Sequence, residues 1–423
     1  MNVAPILSAK TFPHAKPEDK TMLLRTGSDR GRYHLVAFCL LISLAGCSRS
    51  TDHRNRSAAN RASTGVDPMA GVEELPEAPA EQGVFRRRGS IHHSAGFAGA
   101  IFSFDGKTLL TASGDATAKL WRAGSGRQIG QALQHPAAVL CVAYAPDGKT
   151  ALTAGATQEA QLWDVASGKQ LGPMIRHREG YFGGVNCVGY ARNGKVAVTG
   201  GSDGTVRMWD AATGNAVGEP IRLNVLVMGL AGSPDGKTLL IALGDNTGRL
   251  WDVAAGKQVG EPLQHDARIS RMAFRRDGKQ VATGSDDGKV RIWDPTTAKP
   301  LMAPLRLGER PADIVFSKDG KRLQAAGITT SKVWDVVSGK QLGACSFPKG
   351  NSGVAAAPDA DRVLVGNFDG RNATLWDALS GQPIGTVSIG KPVALVAFSP
   401  DGTTVFTGDE QGDGWIWEVA AQK

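Results

Sequence analysis

The sequence predicts an all-β fold, a ring of eight small antiparallel sheets with four strands in each, and three observations carry the prediction. Tryptophan returns at Trp121, Trp163, Trp209, Trp251, Trp293, Trp334, Trp376 and Trp417, in steps of 42, 46, 42, 42, 41, 42 and 41 residues, with Trp415 alone off the register. Self-similarity at this period is the mark of ring and array architectures. A turn residue keeps the same count independently at Asp105, Asp147, Asn193, Asp235, Asp277, Asp319, Asp359 and Asp401. Between these markers short apolar runs alternate with Asp-Gly turns, most clearly from Gln264 to Asp294. There Met272-Ala273-Phe274 leads into Arg276-Asp277-Gly278, Val281-Ala282-Thr283 into Asp286-Asp287-Gly288, and Val290 to Trp293 closes on Asp294. Such turns join neighbouring antiparallel strands because glycine adopts the positive φ they require. At 423 residues the chain exceeds one ordinary domain, but repeats add units around an axis instead of enlarging one core, so a single ring accounts for it.

Each unit reads as a four-stranded meander. In the second copy Val139 to Ala145 is the inner strand, Thr150 to Ala154 the second, Ala160 to Val165 the third and Lys169 to Ile175 the outer one. The eighth copy has no outer strand of its own, because only Glu418 to Lys423 follow Trp417. Val84 to His92 stands before His93 as outer strands stand before His135 and His265, and Ile91 falls where Leu133, Ile175 and Leu263 fall. We therefore expect residues 84–92 to complete the last sheet, uniting the two chain ends and removing the open sheet edges.

The third run closes on a Trp-Asp pair at Trp163-Asp164, Trp209-Asp210, Trp251-Asp252, Trp293-Asp294, Trp334-Asp335 and Trp376-Asp377, while Arg122 and Glu418 replace the Asp in the first and last copies. From about Gly83 onward the chain resembles the WD-repeat (WD40) family of β-propellers, which shares this repeat length and closing pair. The resemblance implies an eight-bladed WD40-type β-propeller over residues 83–423. It also implies a hydrogen-bonded tetrad in a blade: a His before the inner strand, a Ser or Thr in the second strand, an Asp in the next turn, and the Trp. The matching positions are His93, Thr111, Asp115 and Trp121 in blade one; His177, Thr199, Asp203 and Trp209 in blade three; and His265, Thr283, Asp287 and Trp293 in blade five. Blade two keeps His135, Thr153 and Trp163 with Thr157 for the Asp, and the other four blades lack the His.

Ahead of the ring, Leu35 to Gly46 is an apolar run of 12 residues preceded by Arg25, Arg30 and Arg32. It is too short to span a bilayer and has the length of a signal-peptide core. It ends in Leu44-Ala45-Gly46-Cys47, which resembles the lipobox of bacterial lipoproteins and implies cleavage before Cys47 and acylation of that cysteine. A start at Met22 would give a leader of more ordinary length. Ser48 to Gln82 is polar and poor in aliphatic residues, so it reads as a disordered tether with a reach of roughly 30 to 35 Å. The organisation expected is thus signal peptide 1–46, lipidated cysteine and tether 47–82, and propeller 83–423, held on the outer side of a bacterial cytoplasmic membrane or on the outer membrane.

The residue inventory argues against chemistry. Of eight histidines, His14, His34 and His53 precede the ring, four fill tetrad positions, and only His92 is left over. No convergence of His or carboxylate groups for acid–base or metal chemistry is legible. Gly106-Lys107-Thr108, Gly148-Lys149-Thr150 and Gly236-Lys237-Thr238 lack the earlier glycine of a phosphate loop and are hairpin turns. Asp409, Glu410 and Asp413 offer hard oxygen ligands that suit Ca²⁺ in principle, but an ordinary solvated turn is the reading taken. Cys141 and Cys187 occupy equivalent inner-strand positions and Cys345 an outer strand, where buried thiols are expected; a Cys141–Cys187 bridge would need Cα atoms within about 7 Å. The net charge of +8, from 48 Lys and Arg against 40 Asp and Glu, is interleaved in sign and is a poor basis for nucleic-acid binding.

What is left is surface. Loops before the inner strand and between the second and third strands share one face of a WD-type ring, the usual contact face in that family. On it blade three carries Arg178, Tyr181 and Phe182 in a lengthened loop. With Arg268, Arg310, Asn367 and Phe368 these form the expected partner site. On the other face Lys107, Lys149, Lys195, Lys237, Lys279 and Lys321 follow the first turns in a circle, read as a solubility feature. The function expected is a non-enzymatic protein–protein interaction scaffold, a monomeric propeller with a protein or peptide partner, no cofactor and no metal. The alternatives are a propeller enzyme of the quinone-cofactor dehydrogenase type, for which no adjacent-Cys or carboxylate cluster stands out, and an intracellular scaffold with a non-functional leader.

Overall fold

The computed structural model describes residues 83–157, 159–177, 184–191 and 194–420. They form eight four-stranded antiparallel sheets, the blades of a β-propeller. In blade two the strands are Val139–Tyr144, Thr150–Gly155, Glu159–Asp164 and Gln170–Arg176, paired in chain order from inner to outer. Inner strands of consecutive blades lie against each other all the way round, and that of blade eight (Val393–Phe398) lies against that of blade one (Phe97–Phe102), so the ring closes.

The turns behave as their sequences dictate. In the first turn of the blade Gly106, Gly148, Gly236, Gly278, Gly320 and Gly402 take φ between 68 and 77°. Blade seven has no glycine there, and Ala360 is held at φ 56°. Ahead of the turn a serine braces it: Ser103, Ser233, Ser317 and Ser399 each donate Oγ–H to the turn aspartate, at 2.5 to 2.6 Å.

Closure uses the N-terminal strand. Phe85–His92 pairs antiparallel with Asp413–Val419, from Phe85 opposite Val419 to His92 opposite Asp413, as the missing outer strand of the last repeat predicts. A bulge at Gly89 lets the turn of blade one come close; a Cβ on Gly89 would sit 2.5 Å from the backbone of Ser125 and Gly126. The side chains agree with the pairing. Phe85 meets Trp417 edge-on at 6.4 Å, Arg88 pairs with Glu418, and Ile91 is buried like Leu133, Ile175 and Leu263. Trp415, the tryptophan outside the repeat, is buried with Phe85, Trp417, Leu364, Leu375 and Val387 in a core shared by blades seven and eight. Its position in the third strand, two residues before Trp417, puts it on the same side of the sheet.

Between blades the hydrophobic contacts are joined by side chains that reach the next inner strand. Cys141 Sγ donates to Asn186 O at 3.2 Å, Asn186 Nδ2 to Val227 O at 2.9 Å, and Arg271 Nε to Ala312 O at 2.5 Å. Ser352 Oγ likewise donates to Val393 O. Cys141 and Cys187 form no disulfide; burial as small side chains is their role, and Cys345 is buried too, its thiol pushed up to about 11 by desolvation.

Candidate functional site

Loops are only as well placed as the sheets beneath them, and the tetrads fix the sheets. In blade one His93 Nδ1 lies 2.9 Å from Asp115 Oδ2 and Nε2 lies 2.8 Å from Thr111 Oγ1, to which Trp121 Nε1 also donates at 2.8 Å. Burial alone would raise the Asp115 carboxyl, but bonds from Thr117 and His93 hold it well below the usual carboxylate range. Blade three repeats the network, His177 to Asp203 at 3.1 Å and to Thr199 at 2.8 Å, with Trp209 donating to Thr199 at 3.0 Å.

Blade five departs from the expected tetrad. His265 Nε2 and Trp293 Nε1 both reach Thr283 Oγ1 at 2.7 Å, but the partner of Nδ1 is Arg291 Nη1, at 2.7 Å, and not Asp287. Arg291 in turn donates to Asp287 Oδ2 at 3.1 Å. The arginine stands opposite Thr283 across the sheet, so its long side chain can enter the space between histidine and aspartate. In blade two, where Thr157 replaces the Asp, His135 Nδ1 and Thr157 Oγ1 are both buried without a partner. Blades six, seven and eight put Leu307, Phe347 and Ile389, all buried, at the histidine position. Phe347 faces Trp376 at 5.6 Å, so an apolar ring takes over where the polar bond is absent.

Upon this frame the loops over blades five to seven make a continuous rim. Arg268 Nε donates to Asp286 Oδ2 at 3.0 Å, while Arg310 Nε lies 3.2 Å from Asp286 Oδ1. One carboxylate thus holds two of the arginines expected at a partner site. Glu309 Oε1 accepts the backbone N–H of Thr329 and Thr330 at 2.9 and 2.7 Å, fixing the next loop. That loop presents Ile328, 47% exposed, and its carbonyl accepts Asn351 Nδ2 at 2.9 Å. Asn351 Oδ1 then accepts Asn367 Nδ2 at 3.0 Å, and the backbone N–H of Phe368 reaches Gly350 O at 2.8 Å. The chain of bonds therefore runs from Arg268 to Phe368 across three blades, with an exposed aliphatic side chain in its middle.

Arg268, Arg310, Asn367 and Phe368 are brought onto this rim; Arg178, Tyr181 and Phe182, like Cys47, the signal sequence and the tether, lie outside the described residues. Three members of the rim carry no signal in the sequence: Asp286, Glu309 and Asn351. Their partners lie 16 to 24 residues away, in the same or an adjoining blade, and only the ring geometry brings them together.

A family profile described as "Nucleolar protein 10-like, N-terminal domain" matches residues 125–371, more than half of the chain. The chain belongs to that family of β-propellers. A second profile, "WD domain, G-beta repeat", matches residues 87–122, from the closing strand through the third strand of blade one. Among solved structures the computationally designed Ika8 protein is similar, with a TM-score of 0.64 and 20% identity over 79% of this chain and 100% of that one, a likeness of fold. No curated protein matches the sequence.

Elsewhere on this nucleolar protein 10-like propeller two aspartates of the acidic trio near the last turn are tied down by lysine. Lys391 Nζ pairs with Asp413 and lies 3.5 Å from Asp409, and His92 Nδ1 is 2.8 Å from Asp413. Asp409 Oδ1 accepts the N–H groups of Gln411 and Asp413, so its carboxylate braces a turn. Among the described residues no three His, Cys, Asp or Glu side chains gather as a metal site. The six lysines of the opposite face are all exposed, and the backbone N–H groups of Lys107, Lys149, Lys237, Lys279 and Lys321 cap the turn aspartates at 3.0 to 3.1 Å.

Proposed function

We propose that this protein is a non-enzymatic interaction scaffold whose partner, a protein or peptide, lands on the rim from Arg268 to Phe368, and that a lipid on Cys47 tethers it outside the cytoplasmic membrane. The observation that carries the first half is the bond chain itself. Loops that are hydrogen-bonded to each other across three blades offer a surface already organised before binding, and preorganisation lowers the ordering cost of association. Within it Ile328 is the apolar anchor, Arg268 and Arg310 are donors whose planar forks suit carboxylates or backbone carbonyls, and Phe368 extends the patch. Tyr181 and Phe182 would widen the same face. The lipid half rests on the Arg-flanked apolar run ending in Leu44-Ala45-Gly46-Cys47 and on a tether long enough to lift the ring off a membrane.

A photo-crosslinking side chain at Ile328, compared with one at Val337, tests the contact face, because Val337 is 86% exposed on the opposite one. The partner should be captured from Ile328 and lost when Arg268 and Arg310 are both changed to Ala. Equal capture from Val337 would move the site elsewhere. Mass spectrometry of the mature N-terminus tests the anchor: an acylated Cys47 is expected, and an unmodified chain that retains Leu44 to Gly46 contradicts it.

A further inference from the structure

At the axis, where the inner strands of blades seven, eight and one converge, there is a cavity of about 220 Å³. Its walls are Ile101, Phe102, Ala355, Ala397 and Phe398, with Pro358, Pro400 and Phe104 nearer the turns. Phe104 is 60% exposed, an unusual degree for a phenylalanine with a cavity beside it. The one charged side chain in the lining is Asp313, from blade six. Its Oδ1 accepts the N–H of Ile314 and its Oδ2 that of Ala356, each at 2.9 Å, which leaves lone pairs unused on both oxygens. The nearest cation, Arg271, directs its guanidinium to Ser270 O and Ala312 O instead, and among the described residues no basic nitrogen comes within ion-pairing distance of Asp313.

We propose that this cavity is a binding site for a small organic ammonium ion, an aromatic or branched alkyl body of about ten heavy atoms bearing one protonated amine, with the body against the phenylalanines and the N–H⁺ on Asp313. Size sets the body: an apolar cavity of about 150 Å³ holds benzene, so this one holds a ring with a short chain. Charge sets the head. Burial raises the Asp313 carboxyl although the charge of Arg271 opposes the rise, and a bound ammonium supplies the direct ion pair and the further donors that Arg271, bonded elsewhere, does not. Phenylalanine faces around an ammonium add attraction of their own. The site does not depend on the rim proposed above, since its mouth lies among the first turns, on the other face of the ring.

The test is calorimetric and NMR titration of the purified full chain with 2-phenylethylamine and with 2-phenylethanol, which share a body and differ in the charged head. The amine should bind at least ~10-fold more tightly than the alcohol, the worth of one charge-assisted hydrogen bond. Asp313→Asn should bring the two ligands to similar affinity, and Phe104→Ser, an exposed position that leaves the fold alone, should weaken both. Should Asp313→Asn fail to fold, the ratio in the unaltered protein and the effect of Phe104→Ser decide. Equal affinity for amine and alcohol, no binding of either at ~10 mM, or shifts confined to residues away from Phe104 and Phe398 overturns the proposal.

Discussion

Arg291 donates to His265 Nδ1 at 2.7 Å, in the place beside the ring where the Asp115 carboxylate faces His93 in blade one. An arginine can only donate, so Nδ1 of His265 is bare, and the proton sits on Nε2, which donates to Thr283. His93, facing a carboxylate, carries its proton on Nδ1 and accepts from Thr111 at Nε2. The same blade element thus holds opposite tautomers four blades apart in the ring. Long-range ¹⁵N NMR should show Nδ1–H at His93 and Nε2–H at His265. In Arg291→Met the buried Nδ1 loses its donor, with an expected loss of about 1 to 2 kcal/mol. An Nδ1–H signal from His265 in the unaltered protein would contradict the assignment.

Blade two offers the converse experiment. His135 Nδ1 and Thr157 Oγ1 are both buried without partners, so Thr157→Asp restores the tetrad carboxylate beside a ring ready to donate. Urea denaturation should show a gain of about 1 kcal/mol, similar at pH 6 and pH 8, because His93 stays near 4 beside its own carboxylate. A lower midpoint at both pH values counts against it.

Stability should fall on the acid side for a reason the histidines supply. Burial pushes His93, His135 and His265 from 6.5 down to about 4. The unfolded chain takes up these protons near the ordinary value while the folded one refuses them until about pH 4. The contribution is therefore whole above 6.5, is lost as pH falls through the window, and levels off below it. Chemical denaturation at pH values across that window should give a falling midpoint, less steep in His135→Gln. A midpoint flat from pH 7 to 4.5 would mean that these rings titrate normally.

Ala360 sits buried at φ 56° where the seven other blades have glycine. A left-handed non-glycine residue costs about 1 to 2 kcal/mol, more than the roughly 0.5 to 1 kcal/mol of extra chain entropy that glycine brings. Ala360→Gly should accordingly stabilise by about 0.5 to 1 kcal/mol, read as a rise in Tm. A destabilised variant would show that the methyl group contributes more to its surroundings than the turn loses in strain.

Much of this architecture was written locally in the chain. The tryptophan interval, the turn aspartates and the position of Ile91 each repeat or mirror a pattern, so the blade count, the strand order and the closing partner of Trp417 were legible from spacing alone. Trp415 was visible as an exception, though not its burial with Leu364 and Val387, which belong to another blade. Arg291 escaped notice because its role depends on the reach of a side chain across a strand pair, which no motif encodes. The rim shows the same limit: Arg268 and Arg310 were visible as exposed arginines, but Asp286 between them became a site residue only when two blades were placed side by side. Asp313 and Arg271 did leave a trace, since they are charged at an inner-strand position that is Gly, Cys or Leu in the other blades. That trace has no meaning until the axis and its cavity are known.

Closure of the ring depends above all on the two ends of the chain sharing one sheet. Hydrogen-exchange mass spectrometry of the full chain measures this directly, by comparing the amides of Phe85–His92 with those of Asp413–Val419. Both segments should be protected to a similar degree, and Phe85→Ala, which removes a buried ring from the seam at a cost of about 3 kcal/mol, should expose both together. Rapid exchange of residues 85–92 beside a protected 413–419 would mean that the ring is not closed in this way.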